Sequence, residues 1–252
     1  MGREILRLGD EEMRQVRGGE IGMVFQDPMT SLNPVKKVGD HFVEALRAHH
    51  PRLERKEALA KAEGVLRILG IPEDRLVDYP HQLSGGMKQR VMIGLAVVLN
   101  PKMLIADEPT TALDVIIEAQ ILELLKRLKE TLDLSMILIT HNLGVVAEVA
   151  DRIAIMYAGR IFEVAPTAEI FRDPLFPYTQ ILLKLAPNIL LERASLDWIP
   201  GSPPDLTLEK PGCRFVARCP FAFERCKVEA PSLKNAGGDH WVACHLHDGD
   251  RG

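Results

Sequence analysis

Leu83-Ser84-Gly85-Gly86-Met87-Lys88-Gln89-Arg90 and, further on, Met103-Leu104-Ile105-Ala106-Asp107-Glu108-Pro109 are the stretches on which the reading of this chain turns. In the first, Ser-Gly-Gly opens a run of good helix formers. A hydroxyl, close backbone approach and unpaired N–H groups at the positive end of a helix make a ready anion site, suited to phosphate. The plain alternative is a glycine turn leading into an ordinarily capped helix. The second stretch is a short buried apolar run that ends in two carboxylates. One can serve Mg²⁺, directly or through water, and the other can polarise an attacking water, as phosphoryl transfer requires. Adjacent carboxylates repel each other, so a cation or a shared task explains the pair better than a chance acidic turn.

Two further apolar runs, 21–25 and 136–139, flank this strand and are also followed by polar residues, Gln26 and Thr140-His141. Strands with polar residues beyond their carboxyl ends predict an α/β layer fold with a mainly parallel sheet. Between the first two strands Leu59, Ala62, Leu66 and Leu69 recur at spacings of three and four until Gly70. That periodicity predicts an inserted helical subdomain, about 38–98. After His141 come a helix of apolar pattern and a hairpin, 152–157 and 160–164, around Ala158-Gly159. Past Pro166 the prolines Pro174, Pro177, Pro187, Pro200, Pro203, Pro204 and Pro211 predict irregular chain or short helices. All four cysteines, Cys213, Cys219, Cys226 and Cys244, fall in this last part. The expected division is therefore a body over 1–165 and a cysteine-bearing tail over 166–252.

A chain of 252 residues accommodates one large domain or a domain plus a tail. With 46% hydrophobic and 26% charged residues it is neither disordered nor a disulfide miniprotein. A net charge of −4 without a basic stripe excludes nucleic acid as the expected partner. The longest apolar stretch, Val91 to Leu99, contains Gly94 and stops at Asn100-Pro101, far short of the roughly 20 residues of a membrane span. Met1-Gly2-Arg3-Glu4 leads into acidic sequence and not into an apolar segment, so no secretory signal is expected. The cytoplasm is the default, and disulfides would be unusual there.

Together these motifs resemble the ABC ATPase family over nearly the whole chain. Gln26 resembles the Q-loop glutamine, 83–90 the signature motif, and 104–108 the Walker B strand with its catalytic glutamate. Asp114, after Ala112-Leu113, matches the D-loop and His141 the switch histidine. The resemblance implies ATP as substrate and Mg²⁺ sensed by Gln26 and assisted by Asp107. It implies Glu108 as general base, with His141 at the γ-phosphate. Ser84, Gly85, Gly86, Gln89 and Asp114 would contact nucleotide, the signature closing over an ATP held by the opposite subunit. Taken alone, His141 reads more simply as a satisfied histidine at a strand end.

A finer likeness lies in Phe25-Gln26-Asp27-Pro28-Met29-Thr30-Ser31-Leu32-Asn33-Pro34, in Tyr79-Pro80-His81-Gln82, and in the tail from Gly212-Cys213-Arg214-Phe215. These look like the ATPases of dipeptide and oligopeptide importers. That type pairs two ATPase subunits beneath two membrane permeases, fed by an extracellular binding protein, on the cytoplasmic face of the membrane. The helical subdomain would meet the permeases, whereas pattern alone leaves it a solvated insertion. A non-transport ABC ATPase and a non-catalytic module offering only the signature face are the rival expectations.

The family's phosphate loop, G-x-x-x-x-G-K-[ST], is missing, since no Gly-Lys pair occurs in the sequence. The expectation is a chain that starts after that loop, with Met1 a truncated or misassigned start, negligible ATP hydrolysis on its own, and exposed apolar sheet surface. In the tail, Cys213-x5-Cys219-x6-Cys226-x17-Cys244 suits four-thiolate ligation of Zn²⁺ or an iron–sulfur centre better than disulfides. The spacing lacks C-x2-C pairs, and some importer ATPases of this type carry a [4Fe–4S] cluster, which makes iron the expectation and zinc the alternative. Four reduced structural thiols are the plain reading.

Overall fold

In the computed structural model, which describes residues 4–26, 32–111, 113–185, 199, 201–207 and 211–248, the chain forms two compact units, Met1–His141 and Asn142–Gly252. Residues 27–31, Ala112, Pro187 and Pro200 lie outside the described residues.

The first unit is built on three parallel strands, β1 (Ile21–Val24), β2 (Met103–Asp107) and β3 (Ser135–Ile139), in the order β1-β2-β3. Val24, Ala106 and Leu138 lie in one register row. The strand ends are therefore level, and the residues that follow them, Gln26, Glu108 and His141, emerge along one edge. One sheet face carries the fully buried Val24, Leu104 and Ala106. On the other, Met23 and Ile137 remain exposed on either side of Ile105 in the register, an open apolar strip on a type of sheet usually covered on both faces.

Helix α1 (Asp10–Gly19) leads into β1, and three helices occupy the insertion: α2 (Val38–His49), α3 (Arg55–Ile68) and α4 (Gly85–Val97). Phe42 and Leu46 of α2, Ala58, Ala62 and Leu66 of α3, and Val91 and Ile93 of α4 are buried in one cluster. Helix α4 is apolar on nearly every side because it lies between these helices and β1. Gly22 makes that approach possible: a Cβ there would stand 2.1 Å from the Ala96 carbonyl oxygen. Helix α5 (Val115–Thr131) buries Ile121, Leu124, Leu125 and Leu128 in the same core.

The second unit begins with α6 (Leu143–Val149), capped by the Asn142 side chain, and the hairpin β4 (Arg152–Tyr157) and β5 (Arg160–Pro166). Ala158 and Gly159 take φ of 49° and 74°, the left-handed pair that a tight two-residue hairpin turn requires. Short helices α7 (Thr167–Arg172), α8 (Pro177–Leu185) and α9 (Glu224–Val228) follow, as the prolines predict. A second hairpin, β6 (Lys234–Gly237) and β7 (His240–Val242), completes an antiparallel sheet of order β4-β5-β7-β6. Its Asn, Gly and Asp residues hid it from a reading by apolar runs. The division expected at residue 165 falls within β5, whereas the compact units part at 141/142.

Phe162, Phe176 and Phe215 centre the second unit's core, with Phe162 and Phe176 stacked at 4.4 Å. Beside them Glu163 of β5 is completely buried, yet every side of its carboxylate is met. It accepts from the Leu175 N–H at 2.6 Å, the Phe176 N–H at 3.2 Å, the Thr179 hydroxyl and His240 Nε2 at 2.8 Å. The carboxylate thus ties β5, the start of α8 and β7 together.

Candidate nucleotide site and cysteine cavity

Glu108 follows the last residue of β2 with a φ of 43°, a left-handed conformation that a non-glycine residue adopts only under local constraint. Its N–H donates to the Ile139 carbonyl of β3 at 2.9 Å, and its own carbonyl accepts the Thr111 N–H at 3.1 Å, closing a turn around Pro109. The carboxylate then collects three donors: Gln26 Nε2 at 3.1 Å and the Thr111 hydroxyl at 2.7 Å on Oε2, and His141 Nδ1 at 3.2 Å on Oε1. The Thr111 hydrogen bond, followed by that of His141, holds the Glu108 carboxyl below the usual carboxylate range. The glutamate is ionised and a quarter exposed, while the His141 side chain is 79% exposed. Residues from three strand ends therefore meet at one carboxylate. Asp107, half-buried at the end of β2, and the Gln26 amide oxygen stand on the same edge, the donor types Mg²⁺ takes.

Ser84 caps α4, its Oγ accepting from the Met87 N–H at 3.3 Å. The two glycines after it differ. A Cβ on Gly85 would meet nothing within 4 Å, whereas one on Gly86 would stand 2.9 Å from Ile117 Cγ2 at the start of α5. Gly85 faces open space and Gly86 is where α4 touches α5. Asp114 caps α5, Oδ1 accepting from the Ile116 and Ile117 N–H groups at 3.1 and 3.0 Å. Ahead of the signature, Tyr79-Pro80-His81-Gln82 is a short turn closed by the Tyr79 N–H on Gln82 Oε1 at 2.8 Å.

Gln89, expected among the nucleotide contacts, is turned inward instead. It is 1% exposed and donates to the Pro109 carbonyl at 2.6 Å, joining α4 to the Glu108 turn. Gln89 lies one turn beyond Gly85, where α4 meets the turn after β2, so its amide is taken up by the Pro109 carbonyl. Thr111 escaped the reading by motif. The one available signal was a hydroxyl three residues beyond a Glu-Pro turn, placed to reach back.

In the second unit Cys213, Cys219, Cys226 and Cys244 all line one cavity, walled by Phe176, Phe215 and Phe221. Backbone N–H groups of Phe215 and Val216 face the Cys213 sulfur, that of Phe221 faces Cys219, and that of Leu246 faces Cys244. Burial pushes the Cys213 and Cys219 thiols up and Cys244 to about 12, so these three stay protonated near neutral pH. Among the described residues no three His, Cys, Asp or Glu side chains are placed as a ready metal-ion site, and the cysteines form no disulfide.

The ABC transporter family model matches residues 2–111, and that of the oligopeptide/dipeptide transporter C-terminal region matches 162–226. The dipeptide transport ATP-binding protein DppD of Bacillus subtilis is 49% identical over 98% of this chain and 74% of its own length. The oligopeptide transport ATP-binding protein OppD of the same organism is 49% identical over 97% of this chain and 69% of its own. Among solved structures, cbiO1 of Clostridium perfringens, part of the transporter complex cbiONQ, aligns with a TM-score of 0.58 at 30% identity, covering 66% of this chain and 64% of that one. The ATP-binding cassette MJ0796, bound to ADP and Pi, aligns at 0.56 and 29% identity, covering 64% and 68%. The fold is that of an ABC ATPase. The chain belongs to the ABC transporter ATP-binding proteins, in their oligopeptide/dipeptide branch.

Proposed function

We propose that this chain is the ATP-binding, energy-coupling subunit of an importer of dipeptides or oligopeptides. It works at the cytoplasmic face of the membrane, paired with a second ATPase subunit beneath two permeases that an extracellular binding protein loads. No helix among the described residues is long and apolar enough to cross a membrane, which suits a peripheral subunit. An ATPase part is followed by an importer-type extension; the two family matches, 2–111 and 162–226, support a change between residues 111 and 162, the interval in which the compact units also part.

The observation that carries the reading is the meeting of Gln26, His141 and Thr111 on the Glu108 carboxylate at the level ends of three parallel strands. Glu108, kept ionised, accepts a proton from the attacking water. His141, bonded to Glu108 at 3.2 Å, would contact the γ-phosphate of a bound ATP. Asp107 and Gln26 would hold Mg²⁺, which when bound neutralises charge on the phosphates. Ser84, Gly85, Gly86 and Asp114 offer capped helix ends and an open glycine to a nucleotide carried by the partner. The test is Glu108→Gln in the transporter expressed from its own locus. It should lower ATP hydrolysis about a hundredfold or more while ATP still binds. An unchanged rate rejects Glu108 as the base.

For the extension we propose a structural [4Fe–4S] cluster on Cys213, Cys219, Cys226 and Cys244, with Zn²⁺ as the alternative. That all four cysteines line one apolar cavity is what supports a shared centre there. Iron and acid-labile sulfide assays on protein purified without oxygen test it, and stoichiometric zinc without iron would reject the cluster.

A further inference from the structure

We propose that Thr111 is the positioning residue of this site: its hydroxyl fixes the Glu108 carboxylate so that an acceptor position stays aimed at the attacking water. The inference rests on the reading of Glu108 as the base.

An ionised carboxylate offers about four acceptor positions. Gln26, Thr111 and His141 occupy three, which leaves about one for a water. The final torsion of a glutamate is broad, so donors must decide where that position points. Thr111 differs from the other two donors. Its bond is the shortest, 2.7 Å against 3.1 and 3.2 Å, and it arises inside the Glu108 turn itself. Gln26 stands beyond the end of β1, and His141 beyond β3 with its side chain largely in solvent. Gln26 and His141 are carried by separate chain segments, whereas the Thr111 hydroxyl is carried by the same hydrogen-bonded turn as Glu108.

The turn that delivers Thr111 is held at three points. The Glu108 N–H is bonded to Ile139 of β3, the Thr111 N–H to the Glu108 carbonyl, and the Pro109 carbonyl to the buried Gln89 amide of α4. Pro109 also fixes its own φ, which removes one of the turn's free torsions. Thr110, next door, sends its hydroxyl to Glu118 Oε1 at 3.0 Å and does not contribute to the cluster on Glu108. The same turn therefore supplies its own control.

The experiment measures kcat and KM for ATP in the assembled transporter, expressed from its own locus, for Thr111→Val, Thr111→Ser, Thr111→Ala, Thr110→Val and Glu108→Gln. Thr111→Val keeps shape and loses the donor, and Thr111→Ala covers the case in which the valine methyl disturbs folding. Both should lower kcat about tenfold with KM within about twofold, because a transition-state arrangement is lost and not ATP binding. Thr111→Ser should restore most of the rate. In the Glu108→Gln background Thr111→Val should add less than about twofold, since the group it positions is gone. Unchanged kcat in both Thr111→Val and Thr111→Ala overturns the inference. So does a Thr111→Ser as slow as the valine, or a Thr110→Val that costs as much as Thr111→Val. If Glu108→Gln itself is silent, the reading of Glu108 falls first and takes the inference with it.

Discussion

Gly85→Ala and Gly86→Ala should behave oppositely, although both fill a glycine in the first turn of α4. At Gly85 a methyl meets nothing within 4 Å, so the fold gains the helix preference of alanine over glycine, up to about 1 kcal/mol. At Gly86 the same gain is set against Ile117, whose Cγ2 would stand 2.9 Å from the new carbon. Ile117 is β-branched, with little rotamer freedom in a helix, and its N–H is held by the Asp114 cap. Overpacking of this kind costs about 1–3 kcal/mol, leaving Gly86→Ala neutral to about 2 kcal/mol destabilised. The two variants should differ by about 1–3 kcal/mol, or about 3–10 °C in Tm for a chain of this size. Thermal unfolding of the purified proteins reads this difference. The functional order is reversed, because the open side of Gly85 is where a partner-held nucleotide would approach. Gly85→Ala should therefore keep or raise Tm and still lose ATP hydrolysis in the assembled transporter. Equal Tm shifts for the two variants would refute the packing argument. Full hydrolysis by Gly85→Ala would refute the open face as the nucleotide face.

Glu163→Gln leaves an amide nitrogen facing donors that now meet a carboxylate oxygen, two on each side of the group. The cost should be about 3 kcal/mol, since one backbone N–H and a side-chain donor lose their acceptor in a buried place. Urea unfolding that shows less than about 1 kcal/mol would reject the carboxylate as the tie between β5, α8 and β7. Gly212 has a φ of 95°, and a Cβ there would lie 2.5 Å from the Lys227 carbonyl oxygen and 2.6 Å from that of Cys226. Gly212→Ala should push Cys213 away from Cys226, whose carbonyl accepts the Cys213 N–H at 2.8 Å. Any iron or zinc that the anaerobically purified protein carries under the proposal above should fall, and full retention would count against the cavity as the binding place.

The three parallel strands were legible because each is a local apolar run ending in polar residues, and their bounds in the structure match the expected ones at three of the six ends and differ by one residue at the other three. The hairpin at 158–159 was legible for a similar reason, a Gly turn between two apolar runs. Gln26, Glu108 and His141 were found by motif, and the structure brings their side chains together. What escaped depends on direction or on distance along the chain. Sequence spacing placed Gln89 within the signature, and only the rotation of α4 shows that it faces the core. Thr111 carries no motif beyond a turn. The partnership of Glu163 with His240 spans 77 residues and leaves no periodic trace.

That last partnership also sets an order of assembly. As the chain leaves the ribosome, β4 and β5 can pair at once, but the far edge of β5 has no neighbour until His240–Val242 has been made. Until then a strand edge lies open and the Glu163 carboxylate lacks the last of its four donors. The second unit is thus of high contact order and closes late, and chains stopped short of residue 240 present an unpaired strand of the kind that chaperones and proteases act on.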